Sequence, residues 1–232
     1  MGEILRCTNL SKQYGSVHAL DNVSFSLESG KIVGLLGPNG SGKTTIIKLI
    51  NGLLTPTSGT VLINGIAPGP KTKADVAYLP DSIYLNSWMT VKQIVAYFAD
   101  FYPNFRAPMA FEMLQRLGIS PKTRLKTLSK GNKEKVCLIL TMSREAKLYV
   151  LDEPIAGVDP AARDYVISTI MNNCNPDATI LISTHLISDI EQILDEVLFI
   201  QNGHIILHNK AEELREKSGK SIDGVFREVF RW

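Results

Sequence analysis

The sequence predicts an α/β fold: a mixed-sheet core carrying a glycine-rich βα turn, an antiparallel β subdomain beside it, and a helical subdomain inserted into it. Three observations carry this. The apolar run at 31–36 (KIVGLL) feeds GPNGSGKT and then a helical pattern, TTIIKLING. Apolar runs at 76–80, 147–152 and 178–183 are bounded by turn or charged residues, as strands buried on both faces are. Between Asp81 and Ala146 the hydrophobic period becomes helical.

In chain order, ILRCTNL near Ile4, NVSFSLE near Val23 and TVLING near Val61 read as short strands, and their partial alternation suggests an antiparallel sheet. After the turn and its helix, VAYLP, KLYVLD and ATILIS are the parallel core strands. The insertion reads as three helices, TVKQIVAYFADFY, PMAFEMLQRLG and SKGNKEKVCLILTMS, separated by Pro/Asn and Gly/Ser/Pro breaks. Helices over about 160–173 and 188–194 follow, and EVLFI and HIILH close the core as a strand pair turned by Gln201, Asn202 and Gly203. Residues 1–232 thus form a single domain: core and antiparallel subdomain from 1–80 and 147–209, helical subdomain over 81–146, and a tail over 210–232.

At 44% hydrophobic residues over 232 the chain can build a sizeable core, which excludes global disorder. A net charge of +2 with scattered positives leaves no broad footprint for nucleic acid, so no nucleic-acid partner is expected. Cys7, Cys137 and Cys174 are odd in number and far apart, and read as buried reduced thiols rather than a disulfide framework or metal clip. No apolar run approaches the ~20 residues that cross a bilayer, and MGEILRCTNLSK lacks a leader plan, so the chain is not expected to enter a membrane by itself.

The chemistry starts at Gly37. Gly37, Gly40 and Gly42 let the backbone curl so that N–H groups face an anionic phosphate chain, and the helix opening near Lys43 adds its positive dipole end. Lys43 reaches the β- and γ-phosphates, and the Thr44 hydroxyl is a hard oxygen ligand for Mg²⁺. Pro38, Asn39, Ser41 and Thr45 complete the candidate nucleotide contacts of a P-loop NTPase core. KLYVLDEP is an apolar strand ending in two acids. Beside a phosphate loop, Asp152 supports Mg²⁺, while Glu153 can face the γ-phosphate and polarise an attacking water. The alternative, two acids capping the turn at Pro154, loses ground to the upstream loop. In LSKGN, Ser129 stands where an N-cap belongs, and its hydroxyl with the N–H groups of Gly131 and Asn132 makes a second anion site.

The ordered set GPNGSGKT, LSKGN, LYVLDEP, GVD at 157–159 and STH at 183–185 resembles the ATP-binding subunit of an ABC transporter over nearly the whole chain. The resemblance implies the ABC ATPase fold, ATP and Mg²⁺ as cofactors, and a dimer of two copies in which each ATP lies between the loop of one copy and the LSKGN helix of the other. It also implies that Tyr14 stacks on adenine, that His185 is the switch histidine at the γ-phosphate, and that Asp159 couples the two sites across the dimer. An integral-membrane permease is the implied second partner, which places the chain on the inner face of the cell membrane, cytoplasmic and peripheral. The run ADFYPNF with LSKGN is similar to exporter ATPases of the ABC-2 type. Aromatic residues there serve as subdomain core or as part of a groove for the permease.

Two departures from the family pattern stand out. Asp81 occupies the usual glutamine position after VAYLP; it can ligate Mg²⁺ by oxygen but cannot donate a hydrogen bond. Lys130 and Asn132 alter the usual LSGGQ, with Lys130 expected to project into solvent or, alternatively, to place a charge near the partner's γ-phosphate. A non-transport ATPase of the same superfamily acting on nucleic acid or ribosomes is the competing function. It lacks the long coiled-coil insertion or tandem cassette that such proteins carry. A P-loop kinase or GTPase leaves LSKGN unexplained, and no NKxD-type guanine motif is present.

Overall fold

The computed structural model describes residues 2–156, 158, 160–173 and 175–230. Its core is a six-stranded sheet. The strands are β3 (Ile32–Leu36), β5 (Val76–Leu79), β6 (Leu148–Asp152), β7 (Thr179–Thr184), β8 (Glu196–Gln201) and β9 (His204–Lys210). Their spatial order is β5-β6-β7-β3-β8-β9, all parallel except the antiparallel β8–β9 hairpin. Every residue of β6 and β7 is buried, which is why both read as continuous apolar runs without alternation. In β6, Leu148 and Val150 face one core, and Tyr149 and Leu151 the opposite one.

A separate three-stranded antiparallel sheet, β2-β1-β4, is built from β1 (Glu3–Tyr14), β2 (Val17–Glu28) and β4 (Ser58–Ile63). β1 and β2 are longer than their sequence pattern suggests, 12 residues each. The pairing shifts register at several points, and Asn9 and Asn22 adopt left-handed φ of 47° and 51°. Each irregularity breaks the period of two, so alternation shows only in fragments. This sheet packs with α1 (Lys43–Ile50) on one face of the six-stranded sheet.

The insertion forms α2 (Val91–Phe101), α3 (Ala107–Arg116) and α4 (Lys130–Met142) around its own core of Ile94, Phe98, Met113, Leu125, Ile139 and neighbours. Thr90 and Gln93 start α2 with a reciprocal capping box. After α5 (Pro160–Asn173) and the short α6 (Ile187–Ile190), the segment assigned to a tail contains α7 (Ala211–Ser218) and α8 (Ile222–Val229). Leu214, Ile222, Val225 and Phe230 are buried against the sheet, and Phe226 packs on Phe199 and Phe230 with ring centroids 5.5 and 4.3 Å away. These helices close one face of the core. A short amphipathic segment reads as a tail until its apolar face meets a sheet. Cys7 and Cys137 are buried free thiols, both pushed up to about 12 by burial; Cys174 lies outside the described residues.

Candidate functional site

The site forms where the C-terminal ends of β3, β6 and β7 meet the start of α1. From β3 the chain turns through 37–42, and Gly42 is the N-cap of α1 at φ 114° with no side chain capping it. That conformation needs glycine, and a Cβ there would stand 2.8 Å from the Ala19 carbonyl oxygen. Gly37 is needed for a different reason: its backbone is ordinary, but a Cβ would lie 2.4 Å from the Ile200 carbonyl oxygen. The loop is pinned from below by Gly203, whose N–H donates to the Ser41 carbonyl at 2.9 Å. The uncapped first turn of α1 presents backbone donors and the positive helix end to an anion.

Lys43 is buried and bends back over the loop, donating to the carbonyls of Gly37 at 2.6 Å and Pro38 at 3.1 Å. Burial pushes its ammonium down, while Glu153 and Asp152 push it back up. Asn39, Gly40, Ser41, Gly42, Thr44 and Thr45 line a cleft of about 260 Å³ together with Lys43, Ala19, Asp81 and Glu153. Four segments far apart in sequence therefore meet at one opening.

Asp152 ends β6 and is buried. Its Oδ1 accepts the Ser183 hydroxyl at 2.5 Å, while Oδ2 is buried with no hydrogen-bond partner among the described residues. Burial holds this carboxyl above the usual carboxylate range; Ser183 and the nearby Thr44 hydroxyl pull it down, and the charges of Asp81 and Glu153 push it up. An orphaned, buried carboxylate oxygen near a threonine hydroxyl offers the hard oxygen donors a divalent cation takes, although no three acids form a metal-binding cluster among the described residues. The residues present fit Mg²⁺.

Glu153 adopts φ 52°, a left-handed conformation that is uncommon for a non-glycine residue. Its N–H donates to the Ser183 carbonyl at 3.0 Å and to the Ser183 hydroxyl at 3.2 Å. Both carboxylate oxygens lie against His185 Nδ1, at 3.1 and 3.0 Å. Facing a carboxylate, Nδ1 carries the proton, so Nε2 of a neutral ring is left as the acceptor.

A match to the protein-family model described as ABC transporter spans residues 20–156, more than half of the chain. The chain belongs to the ABC transporter family of ATP-binding proteins. Among its relatives, the ABC transporter ATP-binding protein YtrB of Bacillus subtilis (strain 168) is 33% identical over 217 residues, covering 92% of this chain and 74% of YtrB. The SkfA peptide export ATP-binding protein SkfE of the same organism is 30% identical and covers 88% of each chain. A solved structure described as the ATP binding subunit of an ABC transporter superposes with TM-score 0.88 at 29% identity, covering 98% of this chain and all of that one. The ABC ATPase fold read from the motifs is the fold observed.

Other expected site residues stand apart from the cleft. Tyr14 ends β1 at the hairpin tip, half exposed, with the Lys12 ammonium 5.3 Å from its ring centroid; Ala19 of the same hairpin lines the cleft instead. Ser129 caps α4, accepting the Asn132 N–H at 3.3 Å, and Lys130 is 80% exposed with Glu134 3.9 Å away. Lys130 and Glu134 nevertheless border a neighbouring cleft of about 290 Å³ shared with Asp81, Asp152 and Glu153. Asp159 lies outside the described residues. In the sequence Ser183 stands out only as part of STH; its contact with both acids depends on the β6–β7 register, which places it opposite Asp152.

Proposed function

We propose that this ABC ATPase binds and hydrolyses Mg²⁺·ATP between two copies of the chain, and that closing and opening of this dimer powers an exporter. The observation that carries the reading is an asymmetry. The loop, Asp152, Glu153 and His185 are assembled within one chain, whereas Ser129, Gly131 and Asn132 do not line the loop's cleft and the Ser129 cap is satisfied locally. In this reading the first turn of α1 and Lys43 bind the phosphates, with Lys43 exchanging its two backbone carbonyls for phosphate oxygens. Thr44, Asp152 and Asp81 would hold Mg²⁺, which when bound neutralises charge on the transferring phosphoryl group. Glu153 orients and deprotonates the attacking water, and His185 Nδ1–H steadies that carboxylate; Nε2 would donate to the γ-phosphate only in a ring that carries a proton on both nitrogens. Ser129, Gly131 and Asn132 of the partner copy complete the pocket from the other side.

The cleft of about 260 Å³ lies just below the usual range for ligand sites, enough for a phosphate chain, and leaves the base at the surface where Tyr14 can stack on it. The permease partner is supported by a groove of about 470 Å³ between core and helical subdomain, lined by Tyr84, Phe98, Phe101 and Tyr102. Among the described residues no helix is long and apolar enough to cross a membrane, so membrane attachment is assigned to that partner, on the cytoplasmic face. The exporter direction is supported by SkfE, whose name specifies peptide export.

Phosphate release by the purified chain should require both ATP and Mg²⁺, and turnover per chain should rise with chain concentration in the dilute range. A turnover that is constant across dilution would overturn the shared site and leave a monomeric ATPase.

A further inference from the structure

Ser183 touches both acids of the site through one oxygen. The parallel pairing of β6 and β7 sets Ser183 opposite Asp152. From there its hydroxyl donates to Asp152 Oδ1 at 2.5 Å and accepts the Glu153 N–H at 3.2 Å. Ser183 is fully buried, so nothing outside the protein replaces either bond when the hydroxyl is removed. Two geometric features depend on it. The first is which oxygen of Asp152 is engaged: Oδ1 is held, and Oδ2 is the one left buried and unpartnered. The second is the left-handed backbone at Glu153, φ 52°, a conformation that persists only where surrounding contacts over-determine it. The Glu153 N–H is tied to both the carbonyl and the hydroxyl of Ser183, so the hydroxyl is one of two bonds on that backbone.

We propose that Ser183 is a positioning residue for the divalent cation: its hydroxyl holds Asp152 Oδ1 so that Oδ2 is presented to the metal beside Thr44. This rests on the reading of Thr44 and Asp152 as the Mg²⁺ ligands. An outer hydrogen bond that orients a metal-binding carboxylate is worth 10- to 100-fold in metal affinity when removed. The alternative is that Ser183 is an ordinary buried hydroxyl of β7, needed only for the fold. Thr179 provides the control, being a buried residue on the same strand whose hydroxyl donates to the Glu28 carbonyl at 2.9 Å and touches neither acid.

The test is equilibrium binding of a non-hydrolysable ATP analogue to the purified full chain, in Mg²⁺ and in EDTA, for wild type, Ser183→Ala, Ser183→Thr and Thr179→Val. The ratio of the two dissociation constants is the readout. Ser183→Ala should lower the Mg²⁺ advantage about 10-fold or more while leaving the EDTA constant near wild type. Ser183→Thr, which keeps the hydroxyl, should recover most of it, and Thr179→Val should keep the wild-type ratio. A wild-type ratio in Ser183→Ala, equal weakening of both constants, or a Ser183→Thr that behaves like the alanine variant would each overturn the positioning role. If wild type itself gains nothing from Mg²⁺, the assignment of Thr44 and Asp152 falls first and this inference falls with it.

Discussion

The starts of α1 and α4 are both helix N-termini with exposed dipole ends, yet they are built for different tasks. At α1 the cap is a glycine at φ 114° with no side chain to offer, and a buried lysine folds over the turn. Acids from β6 and from the segment after β5 converge in front of it. At α4 a serine hydroxyl already accepts the Asn132 N–H, and the neighbouring lysine is exposed. A helix dipole alone is worth only a few tenths to about 1 kcal/mol. The difference teaches that convergence of groups from several strands makes a binding site, whereas a helix end whose cap is satisfied locally does not make one by itself.

Breaking the α1 site at its chemical step should have the largest effect. Glu153→Gln keeps the size and the hydrogen bond toward His185 but removes the base, so kcat should fall by about 10²–10⁴-fold, and light scattering with Mg²⁺·ATP should show a persistent dimer. Brisk turnover in that variant would remove Glu153 from its role. Lys43→Ala should weaken nucleotide binding by about 10- to 100-fold, as expected for losing a charge-assisted bond to phosphate, measured by titration calorimetry.

Breaking the α4 site should leave binding to one copy intact. Ser129→Ala should change the monomer's nucleotide affinity by less than about 2-fold, yet raise the chain concentration needed for half-maximal dimer in a Glu153→Gln background by about 5- to 10-fold, one hydrogen bond per interface site. Equal losses in both assays would erase the distinction between the two helix starts.

The smallest effect sharpens the comparison from the stability side. Asp152→Asn relieves a buried carboxylate that burial, Asp81 and Glu153 all disfavour, so the nucleotide-free chain should melt about 2–4 °C higher at neutral pH, the equivalent of about 1 kcal/mol in a domain this size. Asp152 binds its proton more tightly folded than unfolded, so wild type regains this stability as pH falls through the folded-state pKa. The gap between wild type and variant should therefore close in acid, in parallel calorimetric scans.

The glycine-rich turn, the paired acids after an apolar strand and the serine at a helix start were legible because each is a local pattern with its own spacing. The continuous apolar runs of β6 and β7 likewise announced strands buried on both faces. The lengths of β1 and β2 were obscured, because irregular register breaks the alternation by which strands are recognised. The helices α7 and α8 passed for a tail, because an amphipathic face has no meaning until a sheet covers it.

The residue types able to bind a triphosphate, and the order in which the chain supplies them, were determined by the sequence by itself, since short-range chemistry is written in neighbouring letters. Only the tertiary structure decided which of those groups meet. Ser183 lies 31 residues from Asp152 along the chain, and strand register alone brings them to 2.5 Å. The place of the Ser129 cap relative to the phosphate loop is likewise set by the packing of the helical subdomain, and long-range packing of that kind leaves no periodicity for a sequence to display.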